Sequence, residues 1–494
     1  MNPENRLSIK AAKSIVWVVL EKWSSRLLSL VVFIILGRLL SPADFGLAAL
    51  ALSISAVLAV FVDAGLAQAL VQREVIEEED AHSVFWTSIG ISLLIYLLLI
   101  LLSPLLALIF NQPSLTKIIP VSGLVLILSA LSNVPAALLE REMRFSTLAL
   151  RQLTGALLGA TAATGAALHG AGVWALVIQP VVSSCVGTIV LWRAAKWRPQ
   201  LIYSSASAKK LGTFGAQVLA IEFLNVMHSN IDKFVIGAHF SAATLGNYFV
   251  AQRILTIIID MFSSTFSKIS FTTFSRLQTD PARTMRYFLF FTFAGCAIAT
   301  PIFSALIAFG KEIIELLFKD RWGESVPLMM LMVPSALLIS VTAFDKNILL
   351  AGGRGMMSLK LAASQLIFGT LVLFVAAPYG IIAIAATRSI RQIAFWPVRI
   401  FVLKRYTNLP ARRYLMQFFP SLIGACFFIG IAYALKYPLR LESSLSPLLF
   451  LIVGLALSLA GYILVLIILG KKHISTMLDI MKTINVARKI KGGV

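Results

Sequence analysis

Nine basic residues stand inside otherwise apolar stretches of this 494-residue chain: Lys22, Arg26, Lys233, Arg253, Lys268, Lys346, Arg388, Arg391 and Arg399. Six acids share that setting: Glu21, Asp63, Glu222, Asp232, Asp260 and Asp345. A charge at the centre of a membrane-spanning helix costs about 2.5–3.5 kcal/mol on the insertion scale, so this many are not carried against lipid. They line a wet interior or pair with one another. Helical spacing sorts them. Lys22 and Arg26 stand i,i+4 on one face. Glu222, Asn225, Ser229 and Asp232 form a second stripe, and Arg253, Thr256, Asp260, Ser264 and Ser267 a third. Arg388 and Arg391 stand i,i+3 with Gln392 beside them.

For Arg26, Arg253, Arg388 and Arg391, the deepest of the set, a central cavity is preferred over structural ion pairs. For Lys268 and Arg399, near helix ends, snorkelling to the interface is preferred. Lys233 either snorkels or pairs with the neighbouring Asp232. Glu21–Lys22 and Asp345–Lys346 are adjacent in sequence, so each pair points to different faces.

Arginines gathered in a pocket suit an anion, because the guanidinium fork matches phosphate oxygens two at a time. A phosphate or pyrophosphate head group fits that chemistry. The expected binding residues are Lys22, Arg26, Asn225, Lys233, Arg253, Arg388 and Arg391. Asp63, Glu222, Asp232, Asp260 and Asp345 are candidates to hold a coupling H+ or Na+. No catalytic set, cofactor motif or metal cluster stands out, and no phosphate-binding loop of an ATPase occurs, so an enzyme is not expected. Uphill work would draw on an ion gradient or a downhill substrate. Cys185, Cys296 and Cys426 each sit alone in apolar runs, with no disulfide or zinc spacing.

The elements that must carry these groups are membrane helices. The chain is 59% hydrophobic and 13% charged, which excludes an ordinary soluble protein. About fourteen segments are long and apolar enough to span: roughly 14–38, 45–70, 83–110, 118–139, 148–168, 172–192, 212–238, 247–274, 287–309, 325–350, 359–377, 380–403, 416–436 and 446–469. The first is read as a retained helix, since Glu21, Lys22 and Arg26 interrupt it and no small-residue cleavage site follows. The net charge of +21 does not signal nucleic acid, because the basic residues are spread through short loops. With both termini inside, inner loops hold 27 Lys and Arg and outer loops 7, and this bias favours an N-in, C-in, multi-pass protein.

One corner is written twice. Gly37–Gly46 reads GRLLSPADFG, and Gly237–Gly246 reads GAHFSAATLG, with Gly, Ser, Ala and Gly recurring at an offset of two hundred. Each joins the first and second helix of a six-helix set, and six helices is an even number. The expected architecture is therefore all-α, with two parallel six-helix lobes over 1–200 and 201–405. Two further helices and a basic tail fill 406–494. A basic joint from Arg193 to Lys210 reads as a tether between lobes that rock.

Residues Gly37–Glu74 hold a "GR-x-L-x-P-x-D-F-G" corner, then Phe61, Asp63, Gly65, Leu66, Ala69, Leu70, Val71, Gln72 and Arg73. With Glu140–Phe145 (EREMRF) and Ile231–Gly237 (IDKFVIG), they resemble the polysaccharide-transporter branch of the MOP exporter superfamily, nearest the Wzx-type colanic-acid and teichuronic-acid exporters. The resemblance implies a flippase for undecaprenyl-pyrophosphate-linked oligosaccharide units that works by alternating access. It implies membrane lipids and a polysaccharide polymerase or export machinery as partners. Within the same superfamily, a lipid II flippase and a multidrug/cation antiporter are the alternatives. The antiporter would want a cavity dominated by acids, whereas here nine buried bases face six acids. Asp63 lies in the family pattern, where a structural role and a coupling role are both open.

Overall fold

The computed structural model describes residues 23–63, 66–72, 77–407, 409–439 and 446–491. Glu21 and Lys22 lie outside the described residues, as do the side chains of Asp63, Ser264 and Lys268. Every regular element among the described residues is helical. In chain order these are α1 (23–39), α2 (Pro42–Asp63), α3 (Leu66–Gln72), α4 (Glu78–Ile109), α5 (Leu115–Arg141), α6 (Phe145–Leu168), α7 (Val173–Ala194), α8 (Ser205–His239) and α9 (Ala242–Arg276). They continue with α10 (Pro281–Ala308), α11 (Gly310–Phe318), α12 (Ser325–Ala351), α13 (Gly355–Ala376), α14 (Ile381–Thr407), α15 (Ala411–Leu415), α16 (Phe419–Lys436) and α17 (Pro447–Lys491).

Ten helices among the described residues are long and apolar enough to cross a membrane. Of the other expected spans, α6, α8 and α14 are long helices with a more polar make-up. α6 is rich in Gly, Ala and Thr, while α8 and α14 each hold one of the charged stripes. The first expected span begins outside the described residues.

The chain divides into two compact units, Met1–Val250 and Ala251–Val494. The division falls fifty residues beyond the junction at 200 expected from the basic joint, because α8 packs on α2, α3 and α4.

In the first unit the tightest pairing is α6 on α7. It rests on Gly155 and Gly159, four apart on α6. A Cβ added to either would stand 2.6 Å from a backbone oxygen of α7, Ser183 O and Gln179 O respectively. Small residues at this spacing let two membrane helices approach to backbone distance, where packing replaces the missing hydrophobic drive. Hydroxyl pairs join other helices: Ser55 to Ser122 at 3.0 Å and Ser132 to Thr188 at 2.8 Å.

The joint after α7 is docked. Gln200 N–H donates to His82 Nδ1 (3.1 Å), Ser204 N–H to Ser83 Oγ (2.9 Å) and Trp86 Nε1 to Gln200 O (2.8 Å). Trp197 stacks on His82 with ring centroids 5.2 Å apart. An apolar cluster of Leu66, Leu70, Val84, Phe85 and Val134 lies alongside.

In the second unit α10 packs against α12 and α16, and α16 against α17. The two C-terminal helices share a core with α10 and α11, built from Ala308, Phe309, Phe428, Phe450 and Tyr462. Tyr462 donates to Ala297 O at 3.0 Å. Lys436, ending α16, reaches Glu312 of α11 at 2.6 Å and Ala308 O at 2.6 Å. Outward surfaces are apolar: Leu94, Leu97, Leu101 and Leu108 on α4, and Ile367, Leu371 and Val375 on α13, are exposed. A hydrocarbon surround suits such an exterior, and the helices satisfy their own backbone groups within it.

Candidate functional site

The polar stripe of α8 is open along its first half and covered along its second. Glu222, Asn225 and Ser229 are exposed. Asn225 Nδ2 donates to Glu222 Oε2 at 3.0 Å, and Ser229 Oγ to Asn225 O at 2.9 Å, so each is held in place along the helix. One turn on, Asp232 is buried, because Tyr248 at the start of α9 lies over it and donates to Oδ2 at 2.8 Å. Lys233 donates to Asn230 Oδ1 at 2.8 Å, with its ammonium 5.5 Å from the Phe249 ring centroid. Arg26 is half-buried on α1.

The second unit holds the other arginines. On α9, half-buried Arg253 stands within electrostatic reach of exposed Asp260, two turns on. Lower on the same helix, Ser267 and Ser270 bind Asn347 of α12, whose Nδ2 donates to Ser267 O (3.1 Å) and Ser270 Oγ (2.8 Å). On α14, Arg388 is half-buried, while Arg391 is buried and donates through NH1 to Gly369 O of α13 at 3.3 Å. Gly369 makes room: a Cβ there would stand 3.2 Å from Arg391 Cδ.

Asp345 of α12 is buried, whereas Lys346 is exposed, as expected for adjacent residues on a helix. The hydroxyl of Tyr414 donates to the carboxylate at 3.2 and 3.3 Å from its two oxygens. Arg399 turns inward rather than snorkelling. Its NH1 lies 4.0 Å from Asp345 Oδ2, and NH2 donates to Gln365 Oε1 at 3.5 Å. Gln365 in turn donates to Gln392 Oε1 at 2.7 Å. A polar chain, buried at Asp345, Tyr414 and Gln392 and half-buried at Arg399 and Gln365, thus links α12, α13, α14 and α15. Phe288 stacks on Tyr414 at 5.7 Å and Trp396 packs edge-on, which keeps the cluster among rings.

Spacing within single helices does not reveal Tyr248, Tyr414 or Gln365. Their partners lie on other helices, and Tyr414 follows two arginines in a stretch that reads as loop. Among the sequence-derived binding residues, Arg26, Asn225 and Lys233 belong to the first unit, and Arg253, Arg388 and Arg391 to the second. No group of three or more potential metal ligands gathers among the described residues. The three cysteines are free thiols.

Long helices with apolar exteriors define a multi-pass integral membrane protein. The chain belongs to the polysaccharide biosynthesis protein family, whose sequence profile matches residues 35–327. It is 28% identical over 323 residues to the succinoglycan biosynthesis transport protein ExoT of Rhizobium meliloti (strain 1021), a match spanning 65% of each chain and so less than two thirds of that relative. It is 24% identical over 336 residues to the lipopolysaccharide biosynthesis protein WzxC of Escherichia coli (strain K12), spanning 67% of this chain and 68% of that one. Among solved structures, the fold resembles the lipid II flippase MurJ in an inward closed conformation. The TM-score is 0.76 at 13% sequence identity, over 93% of this chain and 100% of that one. The resemblance to polysaccharide exporters carried by Gly37–Glu74 is thereby met across most of the chain.

Proposed function

We propose that this protein is a flippase carrying undecaprenyl-pyrophosphate-linked oligosaccharide units from the inner to the outer leaflet of a bacterial inner membrane. It does so for the synthesis of a cell-surface polysaccharide, by alternating access. In this reading fourteen helices span with both termini inside. They form two parallel six-helix lobes, with α16 and α17 as an addition. The observation that carries the proposal is the open stripe Glu222–Asn225–Ser229 on a helix of a family of polysaccharide biosynthesis proteins. Polar groups held open to their surroundings in mid-helix have use only against a wet passage.

Arg26, Arg253 and Arg388, each half-buried, are the groups assigned to the pyrophosphate. Arg391 supports this set through the α13 backbone. Asp345 and Asp232, each holding a tyrosine hydroxyl, and the exposed Glu222 and Asp260 are the groups assigned to a coupling H+ or Na+.

The test is a deletion strain complemented with Arg26→Ala, Arg253→Ala and Arg388→Ala. Polysaccharide export falls while membrane levels of the protein stay normal. Wild-type export from all three variants overturns the cavity assignment. Rescue of a strain depleted of its lipid II flippase, with no effect on a surface polymer, would move the cargo to lipid II.

A further inference from the structure

A proline interrupts α12 within its apolar length, and a side chain from another helix is set into the interruption. Pro334 has no N–H, and its ring crowds the turn before it. The next rung of the helix runs from Ser335 N–H towards Leu331 O. Both ends of that rung meet one atom of α14. Ser335 N–H donates to Ser389 Oγ at 3.2 Å, and Ser389 Oγ donates to Leu331 O at 2.5 Å. A serine hydroxyl has a single hydrogen to give. Here it goes to Leu331, while the oxygen accepts from Ser335. Both serines are buried. Neighbouring hydroxyls satisfy backbone groups loosened by a proline inside a membrane. This one is held from two directions, so it fixes α14 along α12 and about its own axis.

The same register returns further along the pair. Ser389 follows Ser335 by 54 residues, and Arg399 stands at the same offset from Asp345. α12 and α14 therefore run parallel. Ten residues of each helix, about 15 Å, separate the two contacts. Between them, Arg391 and Gln392 bind α13 instead, at Gly369 O and Gln365. The lower contact is loose by itself, with Arg399 NH1 4.0 Å from Asp345 Oδ2. The precision of the pair sits at the serine.

We infer that Ser389 is a positioning residue for the Asp345 site: its hydroxyl, set into α12 beside Pro334, fixes the register that brings Arg399 to Asp345. This rests on the proposed transport reading only for the use made of Asp345. The register is a property of the helix pair and is testable without cargo.

The experiment is a double-mutant cycle on the full chain, unfolded at equilibrium in mixed micelles. Sites about 15 Å apart with no shared partner ordinarily add. Ser389 and Asp345 should not. In the native background Ser389→Ala should raise the unfolding constant about tenfold. About threefold of this is the bond itself, the mean for an interhelical hydrogen bond in a membrane protein, and the rest is the loosened ion pair. In an Asp345→Asn background the same change should cost only about threefold. Ser389→Thr, which keeps the hydroxyl, should match the native residue in both backgrounds. Ser340 is the control. It lies nearer to Asp345 along α12 but donates within its own helix, to Ala336 O, so Ser340→Ala should have the same effect in both backgrounds. Equal effects of Ser389→Ala in the two backgrounds, within about twofold, overturn the inference. Arg399→Gln gives a second cycle with the same expectation and the same refutation.

A further readout needs neither charge variant. Trp396 lies on α14 between the serine and Arg399, with its ring 6.2 Å from that of Tyr414 and 4.9 Å from that of Phe418. Its emission, isolated by subtracting the matching Trp396→Phe spectrum, should shift in Ser389→Ala and return in Ser389→Thr. An unshifted emission in Ser389→Ala overturns the inference as well. If the coupling is found while Asp345→Asn exports polymer at the native level, the register role stands and the assignment of Asp345 to a coupling ion fails.

Discussion

Replacing Tyr414 by Phe tests whether the buried chain around Asp345 is a real polar network. The hydroxyl is the nearest donor to a carboxylate only 2% exposed. A hydrogen bond to a charged group contributes about 1.5–3 kcal/mol in a protein interior. Two facts lower the expectation here. The O···O distances are 3.2 and 3.3 Å, long for a hydroxyl on a carboxylate. Interhelical hydrogen bonds in a membrane protein average about 0.6 kcal/mol and reach about 1.7. Tyr414→Phe should therefore cost about 1 kcal/mol. Asp345→Leu should cost more, because it strips Arg399, 20% exposed, of its carboxylate. In the Asp345→Leu background, Tyr414→Phe should cost nearly nothing. The coupling energy of the cycle is then about 1 kcal/mol, roughly a fivefold change in the unfolding constant. Equilibrium unfolding in mixed micelles, followed by the fluorescence of the eight tryptophans, reads it. Additivity of the two changes within about 0.3 kcal/mol would refute the bond.

Other substitutions separate contacts that carry load from those that do not. Gly159→Leu should destabilise by about 1–3 kcal/mol, since its side chain must part α6 from α7, and the same unfolding assay reads the loss. Gly165→Ala on the same helix meets nothing within 4 Å and should stabilise by about 0.5–1 kcal/mol through helix propensity. Lys436→Met should cost about 3–5 kcal/mol by leaving Glu312 buried without its cation, and adding Glu312→Leu should restore most of it. His82→Leu removes the acceptor of Gln200 N–H, worth about 1 kcal/mol, so limited trypsin cleavage after Lys196 should quicken roughly fivefold.

Much of the architecture was legible because a membrane imposes few solutions. Hydrophobic runs of span length became helices, and the glycine-bracketed corners fell at the joins of α1 with α2 and of α8 with α9. The charged stripes were legible as far as one helix shows its own period. Glu222, Asn225 and Ser229 are open together because they share a face of α8. Spacing fails where a second helix intervenes. Asp232 continues that face, yet the aromatic ring of Tyr248 covers it, and nothing in the local pattern announces a lid. Arg399 departs from expectation for the same reason. Its place near a helix end suggests snorkelling, but Asp345 and Gln365 lie on two other helices and offer it an inward partner. The joint from Arg193 to Lys210 reads as a tether because it is basic and breaks the helical pattern. Its holding partners, His82, Ser83 and Trp86, are more than a hundred residues away in sequence.

That docked joint changes how the first unit carries α8. A slack cord would leave α8 free to drift from the helices before it. Here the segment leaving α7 is pinned at Gln200 and again at Ser204, one residue before α8 begins. The foot of α8 is thus set on a bracket, bolted to α4 through the backbone of Gln200 and Ser204.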